Sequence, residues 1–462
     1  MIGCVVTAVV IVSLCADVSF VDLAGFPHPE HIKNDNKTVF LKLDINNIIL
    51  NLEYFIAKRL ITGKEHKISI SAPIIKIAIA AIALGLVMML IAIATGVGLK
   101  NKIREKVTAF NGHVQIYNYD NNNSEVSVVP VSKNQDFYPD FKSVDGIVHV
   151  QAVATKAGII RTAETFEGII AKGIGDDYNW EALKDYLVDG ELPNYKDDLN
   201  GDILMSKLMA NRLNMKLGDS FFTFFLKNED TEALPNQRKF TIKGIYDSGF
   251  EEIDGLFMFI DIRHIQRMNK WTADEVGNFE IFLESFDDID EKSAEIFGKT
   301  VSTLDTKTLK DKYRNIFEWI GLFDFNIILI IGILIVVCGF NMITALLVLI
   351  LERTPMIGIL KALGSNNWSI RKVFLYNAAY LIGVGLFWGN SIGLGIIYIQ
   401  QVFKPLKFPN PKEYYIEHIP VHMDVMTVVS LNVGVMVLCL LMLLVPSYII
   451  TKITPVKAIR FE

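Results

Sequence analysis

The run Phe325–Leu351 reads FNIILIIGILIVVCGFNMITALLVLIL, twenty-seven residues without one charged side chain. A helix needs only ~20 residues to cross ~30 Å of hydrocarbon, so this stretch predicts a membrane span. Two further runs are of the same kind, Ile74–Leu99 and Met426–Ile450. Lys76 stands near the start of the first, where its stem can reach the interface. A fourth run, Val373–Gln400, is richer in glycine and polar residues but carries no charge after Lys372. In it Gly385, Gly389 and Gly393 recur every fourth residue, with Ser391 and Gly395 beside them. That spacing puts the three glycines on one helical face, where missing side chains let a neighbouring backbone come close. The expectation is a polytopic α-helical membrane protein with four transmembrane helices at 73–100, 323–351, 373–400 and 426–450.

The rest of the composition agrees. Of 462 residues, 51% are hydrophobic and 21% charged, which excludes a disordered chain. Four cysteines and 31 glycines without a triplet period exclude disulfide-rich and collagenous classes. Residues 102–322 hold 38 acidic and 26 basic side chains, a balance of −12 within a total of −6, so the remaining chain carries +6. So acidic a block argues against a nucleic-acid partner. It is also large enough for its own core. Val114–Tyr119, Phe221–Leu226, Phe240–Tyr246 and Phe257–Ile260 alternate like strands; Asp261–Asn269, Asp287–Phe297 and Thr306–Gly321 read as helices, the first with Asp261 as cap. The block is therefore expected to be a large α+β domain inserted between helices 1 and 2. It contains no cysteine: Cys4, Cys15, Cys338 and Cys439 all lie in apolar runs.

Basic residues near the span ends orient the chain. Lys58, Arg59, Lys64 and Lys67 precede the first span; Arg353, Lys361, Arg371 and Lys372 separate the second from the third; Lys452, Lys457 and Arg460 follow the fourth. Four spans place all of these on one side, which is then the cytoplasm, with both termini inside and the acidic domain and the loop 401–425 outside. Lys100, Lys102, Arg104 and Lys106 run against the pattern and read as the exposed face of a helix leaving the bilayer. Residues 1–44 fit poorly: Ile2–Cys15 is too short to span and lacks a basic leader, so the segment is read as an over-extended start. Across 45–72, Ile45, Ile48, Ile49, Leu52, Ile56 and Leu60 follow the spacing of an amphipathic helix on the cytoplasmic membrane surface.

A search for chemistry returns little. Gly298-Lys299-Thr300 imitates the end of a phosphate loop, but Ser293 stands where the loop needs its first glycine. Gly383-Val384-Gly385 lies inside a membrane helix, where a dinucleotide turn has no place. His418 and His422, beside Glu417, have the spacing of two ligands on a helix, but Pro420 intervenes and no third ligand is evident. No metal site, bound cofactor or catalytic residue is predicted. The cytoplasmic connector 352–372 is more informative. Glu352-Arg353-Thr354-Pro355-Met356-Ile357-Gly358-Ile359-Leu360-Lys361-Ala362-Leu363-Gly364 forms a short amphipathic segment bracketed by Pro355 and Gly364, with Ile357, Leu360 and Leu363 facing one way. Physics alone makes it a basic helix parallel to the membrane.

This connector closely resembles the E-R-x-x-x-I-G-x-L-K-A-L-G segment of MacB/FtsX-type ABC transporter permeases, departing at Met356, where an acidic residue is common. The resemblance covers nearly all of 50–462. Glu53–Leu60 looks like the family's entry helix, Thr95–Lys100 like the end of its first span, Gly112–Ile116 like its first outside strand, and Pro446-Ser447 and Pro455 through Ala458–Glu462 like its tail. Within the family the chain is most similar to lipoprotein-releasing system permeases of the LolC/LolE type. The resemblance implies a partner ATPase holding ATP and magnesium, a second permease copy or paralogue, acylated lipoprotein cargo drawn from membrane lipid, and a periplasmic carrier, in a bacterial inner membrane. It makes Glu352, Arg353, Ile357, Gly358, Leu360, Lys361 and Gly364 the ATPase-coupling residues. The stretch Leu226–Lys239, read as a polar loop between strands, weakly resembles a carrier-gripping hook at Leu234, Pro235, Gln237 and Arg238. A MacB-like efflux permease, an FtsX-like regulator of cell-wall hydrolases and a membrane-anchored enzyme are the competing readings.

Overall fold

A computed structural model describes residues 52–62, 71–121, 124–162, 165–196, 199–226, 235–408 and 418–454. The extension 1–44 and the tail 455–462 lie outside them. The chain divides into two compact units, one of 1–98, 323–405 and 420–462, the other of 99–322 and 406–419.

The first unit is helical. It contains α1 (Leu52–Thr62), most of α2 (Ser71–Asn111) and of α5 (Arg314–Glu352), α6 (Thr354–Ala362), α7 (Asn367–Phe403) and α8 (Val425–Ser447). Among the described residues, four helices are long and apolar enough to cross a membrane: α2, α5, α7, and α8 with its continuation to Lys452. They share one core, in which Ile82, Leu86, Cys338, Met342, Phe374 and Val435 are all but inaccessible. Close approach follows small residues. A Cβ on Gly385 would fall 2.8 Å from Ile82, one on Gly389 2.9 Å from the Ala83 carbonyl, and one on Gly393 2.8 Å from Leu90, so the glycine stripe of α7 lies directly on α2. Gly339 of α5 meets Met442 of α8 in the same manner. Between α7 and α8 the contact is polar. Asn390 donates to Asn432 at 2.7 Å, Asn432 donates back at 3.1 Å, and each amide also donates to its own helix, at Leu386 and Val428. Of the amphipathic segment 45–72, α1 is described; its Ala57 is buried and Tyr54 meets Tyr376 edge-on.

The second unit is α+β. Its strands are β1 (Val114–Asn118), β2 (Val131–Ser132), β3 (Ile147–Arg161), β4 (Phe166–Ile174), β5 (Leu187–Gly190), β6 (Asp202–Ser206), β7 (Ser220–Phe225), β8 (Asn236–Tyr246), β9 (Phe257–Asp261), β10 (Glu275–Val276), β11 (Asn278–Leu283) and β12 (Leu304–Thr308). The main sheet runs β12-β1-β11-β3-β4-β9-β6-β8-β5, with β7 pairing both β3 and β8. Helices α3 (Ile262–Asn269) and α4 (Ile289–Lys299) follow β9 and β11. Asp261 caps α3 as its sequence predicts, accepting the Arg263 N–H at 2.9 Å. A buried ion pair sits between the central strands: Lys172 of β4 donates to Glu280 of β11 and to the Phe110 carbonyl, both at 2.6 Å, while Gln151 of β3 donates to the second Glu280 oxygen at 2.8 Å.

Two expectations need correction. Thr306–Thr308 belong to β12, paired antiparallel with β1, so the helix entering the second span begins later than Thr306. Gln237 and Arg238 are not in a loop: they lie in β8, opposite Phe224 and Thr223 of β7. Leu234 lies outside the described residues, and of the other hook positions Pro235 and Gln237 are exposed and Arg238 half-buried. Between His418 and His422 the chain is not helical, in keeping with the intervening Pro420; His418 forms a bridge with Lys407, and the His422 N–H donates to the Ala94 carbonyl at 2.9 Å.

Candidate functional site: the connector between the second and third spanning helices

The chain breaks after Glu352 because Pro355 cannot donate to a carbonyl of the preceding turn, and it suits the first turn of a new helix. Thr354–Ala362 then forms α6, with Pro in its first turn. It ends where it does because Gly364 takes a φ of +89°, a conformation that side chains disfavour. The Gly364 and Ser365 N–H groups turn back onto the Lys361 and Leu360 carbonyls, closing the helix in the Schellman manner. Asn366 restarts the chain as α7, accepting the Trp368 N–H.

Ile357, Leu360 and Leu363, expected to face one way, divide: the first two turn into the bundle and Leu363 faces out. Ile357 is fully buried in the helical core, Gly358 is buried beside it, and Leu360 and Met356 pack against the same core. The bundle itself supplies the groove that Ile357 needs. What α6 exposes instead is Pro355, Ile359, Ala362 and Leu363, spaced i, i+4, i+7, i+8 on one face. Ile359 is 54% and Leu363 78% accessible, with exposed Trp368 following.

Basic side chains fix that face in place. Lys361 Nζ donates to the Ile450, Ile453 and Thr451 carbonyls at 2.7, 2.6 and 3.3 Å. These carbonyls are free because the last helix is interrupted around Pro446 and ends within a few residues. Burial pushes the Lys361 pKa below its ordinary value. Arg371 donates to Ser447 Oγ at 3.0 Å and to the Leu444 carbonyl at 2.9 Å, while its guanidinium lies 5.0 Å from the Trp368 ring centre. Glu352 is exposed at the end of α5, and Arg353, half-buried, precedes α6 with its Nε atom enclosed and unpartnered. The residues picked out in the connector therefore divide: Ile357, Gly358, Leu360 and Lys361 hold α6 to the bundle, while Glu352 and Gly364 remain accessible. Ile359, Ala362 and Leu363 were missed as a face. Their i, i+4 and i+3 spacing was readable, but sequence alone could not say which side of α6 the bundle would take.

The surface so presented is an apolar ledge that follows α5, precedes α7 and is held to the last helix by Lys361.

Comparison with known proteins finds relatives along most of the chain. The FtsX-like permease C-terminal family matches residues 328–455, and the MacB-like periplasmic core domain matches 77–299. A lipoprotein-releasing system transmembrane protein LolC of Xylella fastidiosa (strain 9a5c) is 20% identical over 56% of this chain, and the match spans 65% of that relative's length. A protein of the same name from Neisseria meningitidis serogroup B is 22% identical over 69% of this chain and 79% of its own. The uncharacterized ABC transporter permease YknZ of Bacillus subtilis (strain 168) is 25% identical over 65% of this chain and 76% of its own. Among solved structures, the extracellular domain of the noncanonic ABC-type transporter YknZ from Gram-positive bacteria matches 42% of this chain and 99% of its own, at 18% identity and a TM-score of 0.28.

Proposed function

From the premise that this chain is an ABC transporter permease of the MacB/FtsX type, we propose that it couples ATP hydrolysis on a separate ATPase subunit to the release of lipoproteins from the inner membrane onto a periplasmic carrier. The chain itself binds no nucleotide; ATP and magnesium belong to the partner. Residues 352–372 and both termini face the cytoplasm, the α+β unit faces the periplasm, and a second copy or paralogue completes the assembly. Cargo is lifted by mechanical transmission, and the hook positions Pro235, Gln237 and Arg238 at the end of the β7–β8 hairpin receive the carrier. The exposed ledge of α6 carries this reading. Covering Ile359 and Leu363 with a partner groove stabilises the complex by ~1.5–3 kcal/mol for each side chain, and Ile357 and Lys361 pass any displacement of α6 straight into the bundle. The recurrence of lipoprotein-releasing proteins among the relatives favours that cargo. The Bacillus subtilis relative keeps a different export role as the second reading.

The test co-expresses the chain with its ATPase and reconstitutes both in proteoliposomes with an acylated lipoprotein and the carrier. Ile359→Asp and Leu363→Asp are expected to leave the permease folded while abolishing co-purification of the ATPase and release of the lipoprotein. Ile357→Asp instead destabilises the permease itself, because it buries an unpaired charge. Full assembly by both outward variants would remove α6 as the docking surface. Intact assembly and ATP turnover without lipoprotein release from the wild-type chain would turn the reading to another cargo.

A further inference from the structure

The apolar run of α5, Phe325–Leu351, holds three side chains with an amide or a hydroxyl: Asn326, Asn341 and Thr344. At ~100° per residue all three fall within ~60° of one another around the helix. Ile330, Ile333 and Val337 lie between them on the same stripe. That stripe faces out of the bundle, with Asn341 half-buried and the other five residues exposed. The opposite side of α5 is the one that packs, through Cys338, Met342, Ala345 and Leu349. Polar residues in a membrane helix ordinarily turn inward, where a partner waits. Here all three turn outward.

Asn341 is the decisive one. It stands three residues, ~4.5 Å, from the middle of the run at Cys338, well inside a hydrocarbon half-thickness of ~15 Å. Its amide forms no hydrogen bond among the described residues, and the bundle does not enclose it. Asn390 and Asn432 show the contrast, since each bonds both its own helix and the other amide. Thr344 donates back to the Phe340 carbonyl at 3.1 Å. Asn326, one residue inside the run, is within reach of interfacial water. Asn341 has neither recourse. Lipid chains offer no hydrogen bond, so an open amide at that depth costs free energy until a second protein surface supplies one.

The chemistry of the amide selects the occupant. Asn carries both donors and an acceptor, so it is its own complement. A twofold axis along the membrane normal brings the same residue of two copies to the same depth, face to face. The β-branched side chains of Ile330, Ile333 and Val337 then pack on the outer side of that pair, and Thr344 keeps lone pairs free to accept from across the seam.

We propose that the face of α5 running from Asn326 to Thr344 is the seam between two copies of this chain, with Asn341 hydrogen-bonded to Asn341 of the partner subunit. This rests on the reading that a second permease completes the assembly, and it selects an identical copy over a paralogue.

Full-length chains carrying two different fluorophores are reconstituted in liposomes at falling protein-to-lipid ratio, without ATPase or cargo, and energy transfer gives the dimer Kd. Asn341→Leu is expected to raise that Kd about tenfold, through the loss of two interhelical amide bonds, while the unfolding midpoint of the diluted chain stays unchanged. Asn341→Gln keeps the amide and should retain most of the affinity. A single cysteine placed by Val337→Cys, in a chain whose four native cysteines are alanine, should give a disulfide-linked dimer on oxidation. Val433→Cys, on the exposed side of α8, should not. An unchanged Kd for Asn341→Leu, or equal cross-linking at Val433, overturns the proposal. So does a chain that associates only when a paralogue is co-expressed. Because the assay contains neither ATP nor lipoprotein, intact self-association beside failed lipoprotein release would support the seam and count against the cargo reading alone.

Discussion

Replacing Gly389 by alanine adds one methyl group to the seam between α7 and α2, and its cost follows from the geometry. The new Cβ would lie 2.9 Å from the Ala83 carbonyl oxygen and 2.9 Å from Leu86. Ordinary contacts of that kind are ~3.5–4.0 Å, so the helices must part locally by ~0.5–1 Å. A carbonyl oxygen on a neighbouring helix cannot swing aside as a side-chain tip can. Overpacking of this kind costs ~1–3 kcal/mol, while alanine regains up to ~1 kcal/mol of helix propensity. With the full propensity gain the net expectation is a loss of ~0–2 kcal/mol, about 1–3 kcal/mol below the Gly395 variant. Gly395, on the same helix, has nothing within 4 Å of its would-be Cβ. Its alanine variant keeps only the propensity gain and should be neutral or slightly stabilised. Unfolding of the full chain in mixed micelles titrated with sodium dodecyl sulfate, followed by circular dichroism, measures the difference. Equal midpoints for Gly389→Ala and Gly395→Ala would refute the packing argument, since the two changes are chemically identical.

Two further outcomes are expected. Lys361→Met keeps the aliphatic stem but removes the donors to three carbonyls; about 1–2 kcal/mol of stability should be lost, with cargo-stimulated ATP turnover falling further than ATPase binding, and parallel losses in both would rule out a coupling role. In the α+β unit two buried groups oppose each other in acid. His113, lowered to about 4, stabilises the fold above its unfolded pKa and loses that contribution as pH falls from 6.5 through 4. Asp254, raised to about 6 by burial, contributes increasingly as pH falls through 6 toward 3.8. Each amounts to roughly 3 kcal/mol, so Asp254→Asn should make the unit more acid-labile and His113→Gln less so. Hydrogen exchange of the β9 and β11 amides between pH 7 and 4.5 reads this, and superimposable profiles for both variants would refute it.

The spans were legible because a bilayer demands long uncharged helices, and Phe325–Leu351 meets that demand without help from tertiary structure. The glycine stripe was legible for the same reason, since its spacing is local. The α+β unit was only partly so. In β3, Gln151 and Lys156 are buried at 0% and 2% accessibility, and polar residues in a strand ordinarily signal a solvent face. Their partners, Glu280 and Asn269, stand more than a hundred residues away. In β12, Leu-Asp-Thr-Lys-Thr imitates a helix start, and only pairing with β1 makes it a strand. At the connector, the segment was identifiable but its facing was not, because Ile357 is buried by helices distant in sequence and Lys361 is held by carbonyls about ninety residues on.

The paired amides of Asn390 and Asn432 set a register between α7 and α8. Sliding one helix past the other by a single turn would displace either amide by ~5.4 Å and break both reciprocal bonds. Measured interhelical hydrogen bonds in membranes contribute only ~0.6–2 kcal/mol, so the pair acts as a detent: it tolerates tilt but resists slip. Arg371 holds the same two helices at Leu444 and Ser447, nineteen residues and ~28 Å from Asn390 along α7. Pinned at two separated points, α7 and α8 behave as a single plate. In the coupling proposed for α6, a push there arrives as a rocking of that plate, with a lever arm of most of the membrane's thickness.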